Sequence, residues 1–489
     1  MSEKKWFSLE LLAIIIVLIA AFFLRFNNIS WETYGYGEVE LKQAAEGYAR
    51  GNIVNNFYIF DTPPVSKYIL AVSIMTIGSA EFALRIVPLI FGVLTVVALF
   101  FMVRKMYNSR VALLASTITA FSILQIQFSR YAQLETMLSF FYILVVYFAW
   151  EATKNKKYAW LLLGISLGIS IAIKFTSLII LVALLIYAIY TKEIKFSIRP
   201  NFSMNIKNWV LKSLLAALVV FVVSWPFGFS TLHTEANLSV DYGGSVRSQH
   251  IESNVPIIIL SVGRRIFSSI DSDIIYPLAM KIPLLNYFFL YIVKESLLIL
   301  VLLAAGIYFL AKKPLKEDKL IIIFVIVFLA LLSFQRTLIS YRHVTPLVPF
   351  FAIIASRWIG KLNNARQLMA IFGIGLILFA YASLSGPSYA LSYNPLKDAL
   401  GIQDSEFRFS EGMNSTIEYI TKNCESVFTS DYYRFMVEPY YDKFSSSAKC
   451  VVSGISGTNA TENYIQSHNC SISKTVIKNS VKLIEIYSC

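Results

Sequence analysis

Eleven apolar runs, each long enough to cross a bilayer, dominate this chain of 489 residues. A transmembrane helix needs roughly 17 to 25 mainly apolar residues, and the runs centre near residues 17, 92, 120, 143, 167, 184, 220, 298, 327, 352 and 377. The chain is 56% hydrophobic and only 15% charged, well away from soluble averages. The sequence therefore predicts an all-α polytopic membrane protein of about eleven transmembrane helices, integral to the cell membrane.

The Lys and Arg residues form short clusters between the apolar runs. The formal net charge of +13 would suggest nucleic acid as a partner in a soluble protein, but here the pattern indicates topology. With the N-terminus in the cytoplasm, every inside loop is basic and the C-terminal tail lies outside. The segment from Tyr68 to Ile77 is about ten residues long and follows Pro63-Pro64. We therefore predict an interfacial helix there, not a crossing.

Most of the polar sequence falls on the predicted outer face of the membrane. The longest outer segments are a first loop, residues 27–80, a second loop, residues 230–284, and the tail. We therefore divide the chain into a transmembrane domain, residues 1–386, and an extracytoplasmic domain, residues 387–489.

A short amphipathic helix is predicted in the first outer loop. Four apolar residues recur there at helical spacing, namely Leu41, Ala44, Ala45 and Tyr48. Three charged residues share the opposite face, namely Glu38, Lys42 and Glu46. The pattern fits a helix lying on the membrane whose charged face is solvated and forms i,i+4 pairs.

All four cysteines lie in the tail: Cys424, Cys450, Cys470 and Cys489. An even number confined to a polar segment predicts two disulfides in an oxidising compartment, with three connectivities open. The alternative is four reduced thiols in a cytoplasmic tail. A helix near Glu411 to Asn423 and alternating stretches such as Val481 to Tyr487 predict a small α/β fold for this tail.

Charged side chains are almost absent from the middle of the predicted helices but gather at the outer membrane boundary. Their scarcity inside the bilayer argues against a proton-relay transporter or a voltage sensor, which need buried ionisable groups. The first boundary cluster, in the first loop, contains Glu38, Glu40, Asp61 and Lys67. The second contains Arg130 and Glu135, and the third contains Tyr341, Arg342 and His343.

Such a set of residues suits the transfer of a sugar from a lipid phosphate. A carboxylate can deprotonate an acceptor hydroxyl, or hold a divalent metal that does so. Cationic side chains can stabilise the charge that grows on the departing phosphate. The alternatives are simpler: Arg130 and Arg342 could anchor helix ends at the headgroups, and His343 could be an ordinary polar residue.

The order of these parts resembles the GT-C glycosyltransferases, in particular the protein O-mannosyltransferase and aminoarabinose-transferase-like branch that uses polyprenyl-phosphate sugars. The resemblance rests on the acidic first loop, the Pro-Pro pair and four later motifs: Arg85 to Pro88, Arg130 to Glu135, Lys174 to Thr176 and Arg342 to Pro349. Two positions depart from the family pattern. Gly37-Glu38 stands where mannosyltransferases usually have Asp-Glu, and Asp61-Thr62 stands where His often precedes the Pro-Pro pair.

The resemblance implies a donor linked to polyprenyl or dolichyl phosphate, an extracytoplasmic acceptor and inversion at the sugar. By position, Glu38 would be the catalytic or metal-binding carboxylate, supported by Glu40 and Glu135. The predicted phosphate ligands are Arg130, Lys174, Arg342 and Lys67. The predicted acceptor or metal contacts are Asp61, His343 and Tyr341, and the cation would be Mg²⁺, Mn²⁺ or Zn²⁺. The competing class is a non-enzymatic transporter or flippase of lipid-linked glycans.

Overall fold

The structure is a computed structural model in which part of the chain can be described. In the membrane part, the described residues are 3–30, 32–51, 63–78, 81–197, 203–229, 286–334, 341–362, 364–386, 389 and 394–396. Between them lie four short strand segments, at 231–232, 238–239, 248–249 and 253–256. In the tail, the described residues are 413–429, 437, 440–445, 447–454, 459–478 and 481–489. Asp61 and most of the second loop lie outside these ranges.

Helices make up most of the described membrane part. The first ten are α1 (Glu3–Phe26), α2 (Tyr36–Ala49), α3 (Val65–Ile77), α4 (Glu81–Met106), α5 (Ser109–Phe121), α6 (Ile123–Ser129), α7 (Glu135–Thr153), α8 (Ala159–Ile173), α9 (Leu178–Tyr190) and α10 (Asn208–Ser224). They are followed by α11 (Asn286–Lys294), α12 (Leu297–Lys312), α13 (Lys316–Phe334), α14 (Val348–Ser356) and α15 (Asn364–Ser385). Short 3-10 helices lie at Phe175–Ser177, Pro226–Phe229, Tyr341–Leu347 and Arg357–Lys361. Two short hairpin strands, β1 (Ile194–Ser197) and β2 (Ser203–Ile206), join α9 to α10.

Each of the eleven predicted runs is helical at its centre, which confirms a largely helical membrane protein. Among the described residues, four helices are long and apolar enough to cross a membrane: α1, α4, α7 and α15. A fifth crossing is formed if α5 and α6, which meet at an angle of 58°, are counted as one broken span. Five further apolar helices are shorter. The number of crossings and the orientation of the chain therefore remain predictions.

The helix predicted in the first loop is α2, and its apolar face is buried as expected. Leu41, Ala44, Ala45 and Tyr48 are all less than a tenth exposed, and Tyr48 packs edge-on against Tyr68 of α3. Lys42 and Glu46 form an ion pair at 2.6 Å on the outer side. Glu38 does not lie on that solvated face, so the simpler alternative for this residue is excluded. Its side chain is completely buried, because it turns towards α4 and pairs with Arg85.

Glycines allow several helices to approach closely. A Cβ atom at Gly164 or Gly168 of α8 would meet α10 at 2.5 and 2.6 Å, at the Ala216 Cβ and the Ala217 carbonyl oxygen. Between α12 and α14, a Cβ atom at Gly306 would lie 2.0 Å from the carbonyl oxygen of Ile354. Small residues at such crossings are what holds membrane helices together, because van der Waals contact replaces the hydrophobic effect in lipid.

Gly306→Ala is therefore expected to lower the free energy of unfolding by about 1–3 kcal/mol, the usual cost of overpacking. The added methyl group meets backbone, which cannot rotate away. Thermal unfolding of the detergent-solubilised protein measures the loss. Gly373→Ala on α15 is the matched control, since no atom of the described residues lies within 4 Å of its Cβ position. Equal melting temperatures for Gly306→Ala and the wild type would contradict the close crossing.

The tail has the predicted α/β character. Helix α16 (Met413–Asn423) and helix α17 (Asn459–Ser467) accompany a four-stranded sheet of β7 (Val427–Thr429), β8 (Cys450–Gly454), β9 (Ser471–Lys478) and β10 (Val481–Ser488), numbered after the four short segments β3 to β6. The strand order is β7-β8-β10-β9, with β7 and β8 parallel and the other pairs antiparallel. The predicted disulfides are present as Cys424–Cys450 and Cys470–Cys489.

Candidate active site

Glu38 is held in a closed network between the first loop and α4. Arg85 approaches its carboxylate in a two-pronged geometry, with Nε 2.8 Å from Oε1 and Nη2 2.8 Å from Oε2. The backbone N–H of Ala132 donates to Oε1 at 2.8 Å, and that of Gly35 donates to Oε2 at 2.9 Å. Each carboxylate oxygen therefore already accepts two hydrogen bonds. In this arrangement Glu38 connects three segments of the chain and is not open to an acceptor.

Arg85 itself anchors the first loop. Beyond Glu38, its guanidinium donates to three backbone carbonyl oxygens, those of Ile29 at 3.1 Å, Glu32 at 2.8 Å and Thr33 at 2.8 Å. The side chain is only 1% exposed. Burying a charge is costly in free energy unless the charge is paired and hydrogen-bonded. Here Arg85 and Glu38 neutralise each other, and the remaining guanidinium hydrogens bond the carbonyl oxygens of the first loop.

Arg130 is bonded to the end of the first helix. Its guanidinium donates to the carbonyl oxygens of Leu24, Arg25, Asn27 and Asn28, at 2.6 to 3.2 Å. These carbonyls have no partner within the helix, and a cation there also complements the helix dipole. The guanidinium thus has a structural task at the end of α1, fixed by backbone carbonyl oxygens and not by lipid headgroups.

A small cavity brings together residues from two of the predicted boundary clusters. It is lined by Glu135, Leu138, Tyr142, Lys174, Thr176, Phe328, Leu332, His343 and Pro346. Glu135 begins α7, Lys174 follows the end of α8, and His343 lies in the Tyr341–Leu347 helix. Residues that are far apart in the sequence thus meet at one hollow.

The carboxylate of Glu135 faces this cavity with one oxygen engaged. Lys174 Nζ donates to Oε1 at 2.8 Å, and both side chains are largely buried. Among the described residues, Oε2 has no hydrogen-bond partner. Arg342 adds a second positive charge that acts on Glu135 through space. The free oxygen of Glu135 can accept a proton from a hydroxyl, and the Lys174 ammonium beside it offers positive charge to a phosphate.

Tyr341 lies behind the cavity rather than in its lining. Its ring is buried, its hydroxyl accepts a hydrogen bond from Gln127 Nε2 at 3.3 Å, and Lys294 Nζ lies 4.7 Å from the ring centroid. The tyrosine thus holds the start of the Tyr341–Leu347 helix against α6 and α11.

The other predicted site residues stand apart from the cavity lining. Lys67 is buried in the first turn of α3, and Glu40 is half-buried on α2. Asp61 lies outside the described residues.

The residues around the cavity do not form a metal-binding group. In the described ranges, no three His, Cys, Asp or Glu side chains come close enough together to hold an ion. Glu135 and His343 are the two side chains of these types that line the cavity. The donor set therefore does not fit the predicted divalent cation, which stays a prediction.

The tail touches the first loop and α4 at two points. Tyr440 Oη donates to the Glu81 carboxylate at 2.5 Å and accepts from the backbone N–H of Tyr34 at 3.3 Å. The N–H of Asn414 donates to Glu32 Oε2 at 3.0 Å. Burial, with the nearby Glu81 carboxylate, raises the pKa of both tyrosine hydroxyls above the usual value, so they stay protonated donors.

Three important residues had no role in the sequence prediction. Arg85 was visible only as part of the Arg-Ile-Val-Pro motif at the start of α4, where an arginine within an apolar run is the signal of a buried pair. Gln125 and Gln127 on α6 gave a weaker signal, two amides at alternate positions in an apolar run. Their partners become apparent only in three dimensions.

Two solved structures of one protein have a fold similar to that of this chain. ArnT from Cupriavidus metallidurans, in a crystal structure bound to undecaprenyl phosphate, superposes with a TM-score of 0.53 at 11% identity, covering 99% of this chain and 98% of ArnT. The apo crystal structure of the same protein gives a TM-score of 0.55 at 12% identity, with the same coverage. The chain thus shares the fold of ArnT over nearly its whole length.

The sequence is similar to proteins that are named as mannosyltransferases. The dolichyl-phosphate-mannose-protein mannosyltransferase family matches residues 61–225. The Bacillus subtilis (strain 168) protein YkcB, which carries a provisional mannosyltransferase name, is 23% identical over 231 residues, 46% of this chain. The match spans 31% of the length of YkcB. The resemblance to GT-C glycosyltransferases that the motifs predicted is confirmed.

Proposed function

We propose that this protein is a membrane glycosyltransferase that moves a sugar from a polyprenyl- or dolichyl-phosphate donor to an extracytoplasmic acceptor. The family that matches residues 61–225 is named for dolichyl-phosphate-mannose, and ArnT, which shares the fold, was crystallised with undecaprenyl phosphate. Both support a lipid phosphate as the carrier. The acceptor is a hydroxyl or amine of a protein, lipid or glycan.

The observation that carries the proposal is the cavity lined by Glu135, Lys174 and His343, in which Lys174 Nζ lies 2.8 Å from Glu135 Oε1 and Arg342 directly precedes His343. We assign Glu135 as the general base, in place of Glu38. Lys174 and Arg342 are the donor-phosphate ligands, and His343 lines the acceptor side. Glu38 and Arg130 become positioning residues. The Glu38 carboxylate is engaged with Arg85, Gly35 and Ala132. The Arg130 guanidinium is engaged with carbonyl oxygens at the end of α1.

The proposed reaction is a single displacement. The acceptor hydroxyl gives its proton to Glu135 Oε2 while its oxygen forms a bond to the anomeric carbon of the sugar. The bond between that carbon and the phosphate oxygen breaks, and its electron pair leaves with the lipid phosphate. Lys174 and Arg342 stabilise the charge that develops there. Attack opposite the departing phosphate inverts the configuration.

The test uses the purified wild-type protein in liposomes with radiolabelled polyprenyl-phosphate mannose, glucose and aminoarabinose and a mixture of acceptors. We expect release of free polyprenyl phosphate together with label on an acceptor. A fluorescent lipid-linked glycan in the same vesicles measures transbilayer movement. If the donors stay intact across the panel while the glycan crosses the bilayer, the protein is a flippase and the proposal fails.

A further inference from the structure

The short helix α6 lies directly behind the cavity and contacts both of its sides. It follows a bend of 58° after α5, and all seven of its residues are buried. Its first turn is capped by Ser122, whose Oγ accepts from the N–H of Gln125 at 3.3 Å and donates to the buried carboxylate of Glu295. The start of α6 is thereby fixed against the segment between α11 and α12.

Gln125 connects α6 to the two sides of the cavity. One amide hydrogen of Nε2 is donated to Ser139 Oγ on α7, at 3.0 Å. The other is donated to the carbonyl oxygen of Thr345, at 2.9 Å. Both hydrogens of the NH₂ group are therefore donated, one to α7 and the other to the Tyr341–Leu347 helix, which form two sides of the cavity.

Both contacts lie close to the proposed site residues. Ser139 is one turn along α7 from Glu135, and its hydroxyl donates to the Glu135 carbonyl oxygen at 2.9 Å. Thr345 lies two residues after His343 and three after Arg342, in the same 3-10 helix. A change at Gln125 thus alters the spacing between the carboxylate side and the Arg342–His343 side.

The chemistry of the site requires an amide at this position. The Thr345 carbonyl can only accept, so the NH₂ group must face it and the amide cannot be flipped. Gln127, two residues further along α6, makes a separate contact with the start of the same 3-10 helix, by donating to Tyr341 Oη at 3.3 Å. The Gln125 side chain is completely buried, which makes its two hydrogen bonds costly to lose.

We propose that Gln125 is a positioning residue that sets the distance between Glu135 and the Arg342–His343 turn. The inference rests on the proposed function in one respect: the distance affects catalysis only if the site transfers a sugar. The contacts themselves predict a change in cavity width whether or not sugar transfer takes place.

The variant Gln125→Met keeps the length of the side chain and removes both donors. We expect the kcat of transfer to fall by about ten- to a hundredfold, since an error of about 1 Å in a reactive geometry costs about a hundredfold. The KM for the donor should change little, because the charges that bind phosphate remain. Ser139→Ala removes one of the two bonds and suits a helix, so it should fold and show a smaller loss of kcat.

Acetylation of Lys174 by a small amine-reactive ester, measured by mass spectrometry, is the second readout. Lys174 is 9% exposed, and a wider cavity in Gln125→Met should raise its labelling rate several-fold. The exposed Lys422 serves as the internal reference. This measurement applies even if the wild type transfers no sugar, so that the failure of the proposed function and the failure of this inference can be told apart.

Gln367→Met is the matched control. Gln367 is also buried, and its Nε2 donates to the Leu362 carbonyl oxygen at 2.7 Å, but it lies outside the residues that line the cavity. It should lose stability without changing kcat per folded molecule or Lys174 labelling. If Gln125→Met and Ser139→Ala match the wild type in Lys174 labelling, and in transfer where transfer occurs, Gln125 is only a packing residue and the inference is overturned.

Discussion

Glu135→Gln is expected to lower the kcat of sugar transfer by about two to four orders of magnitude, the usual contribution of a general base. The amide keeps the shape of the side chain and can still accept from Lys174 Nζ, which is 2.8 Å from Oε1 in the wild type. It cannot take up a proton from the acceptor. Initial rates with a radiolabelled donor, normalised to folded protein, measure the loss.

Loss of charge at Glu135 also leaves Lys174 without its carboxylate partner, so stability must be measured beside activity. Breaking a buried pair is destabilising because it leaves an uncompensated charge. The double variant Glu135→Gln/Lys174→Met removes that charge as well. It should recover melting temperature relative to Glu135→Gln but no activity, which separates chemistry from folding.

Two further variants test whether Glu135, and not another glutamate, is the general base. Glu151→Gln alters a carboxylate near the other end of the same helix, and it should leave transfer unchanged. Glu38→Gln should act mainly through stability, because the Glu38 carboxylate accepts four hydrogen bonds in the network with Arg85. Near-normal transfer by folded Glu135→Gln, with none by folded Glu38→Gln, would return the role of base to Glu38.

The sequence predicted the helices well because length and hydrophobicity are local properties. It did not predict the break between α5 and α6, since the run from 109 to 129 reads as one crossing. The break depends on Ser122 as a helix cap and on Glu295, which is 173 residues away in the chain. A contact at that separation leaves no trace in local periodicity.

Only part of the candidate site was predicted, because the rest also depends on contacts between residues far apart in the chain. The motifs identified Glu135, Lys174, Arg342 and His343 as boundary residues, and three of them, Glu135, Lys174 and His343, line one cavity. They did not show which carboxylate is open to the cavity. The difference between the two carboxylates depends on Arg85, which lies 47 residues after Glu38 and pairs with it. Helical spacing alone had placed Glu38 on the same face as Lys42.

Arg85→Leu is expected to lower the free energy of unfolding by about 3–5 kcal/mol, the cost of removing one member of a buried ion pair. The change leaves the Glu38 carboxylate buried without a cation and removes donors from the carbonyl oxygens of Ile29, Glu32 and Thr33. Arg85→Lys retains the charge but not the fork-shaped geometry, so it should be intermediate. Denaturant or thermal unfolding in detergent measures all three proteins.

A double-mutant cycle separates the ion pair from the loop contacts. Arg85→Leu/Glu38→Met removes both charges, and it should be more stable than the sum of the single losses predicts. The remaining deficit then reports the three carbonyl contacts that only Arg85 makes. Strictly additive losses would show that the two side chains do not stabilise each other.

Arg357→Leu is the matched control, because Arg357 forms an equally close buried pair with Asp318, with Nε 2.8 Å from Oδ1. Both arginine variants should lose stability. Only Arg85→Leu should also lower kcat in the molecules that remain folded, because Glu38 accepts from the N–H of Ala132, three residues before Glu135. Loosening that bond frees the turn that carries the proposed base. The Arg357 pair joins the first turn of α13 to the end of α14, ten residues before Phe328, the first residue of α13 that lines the cavity.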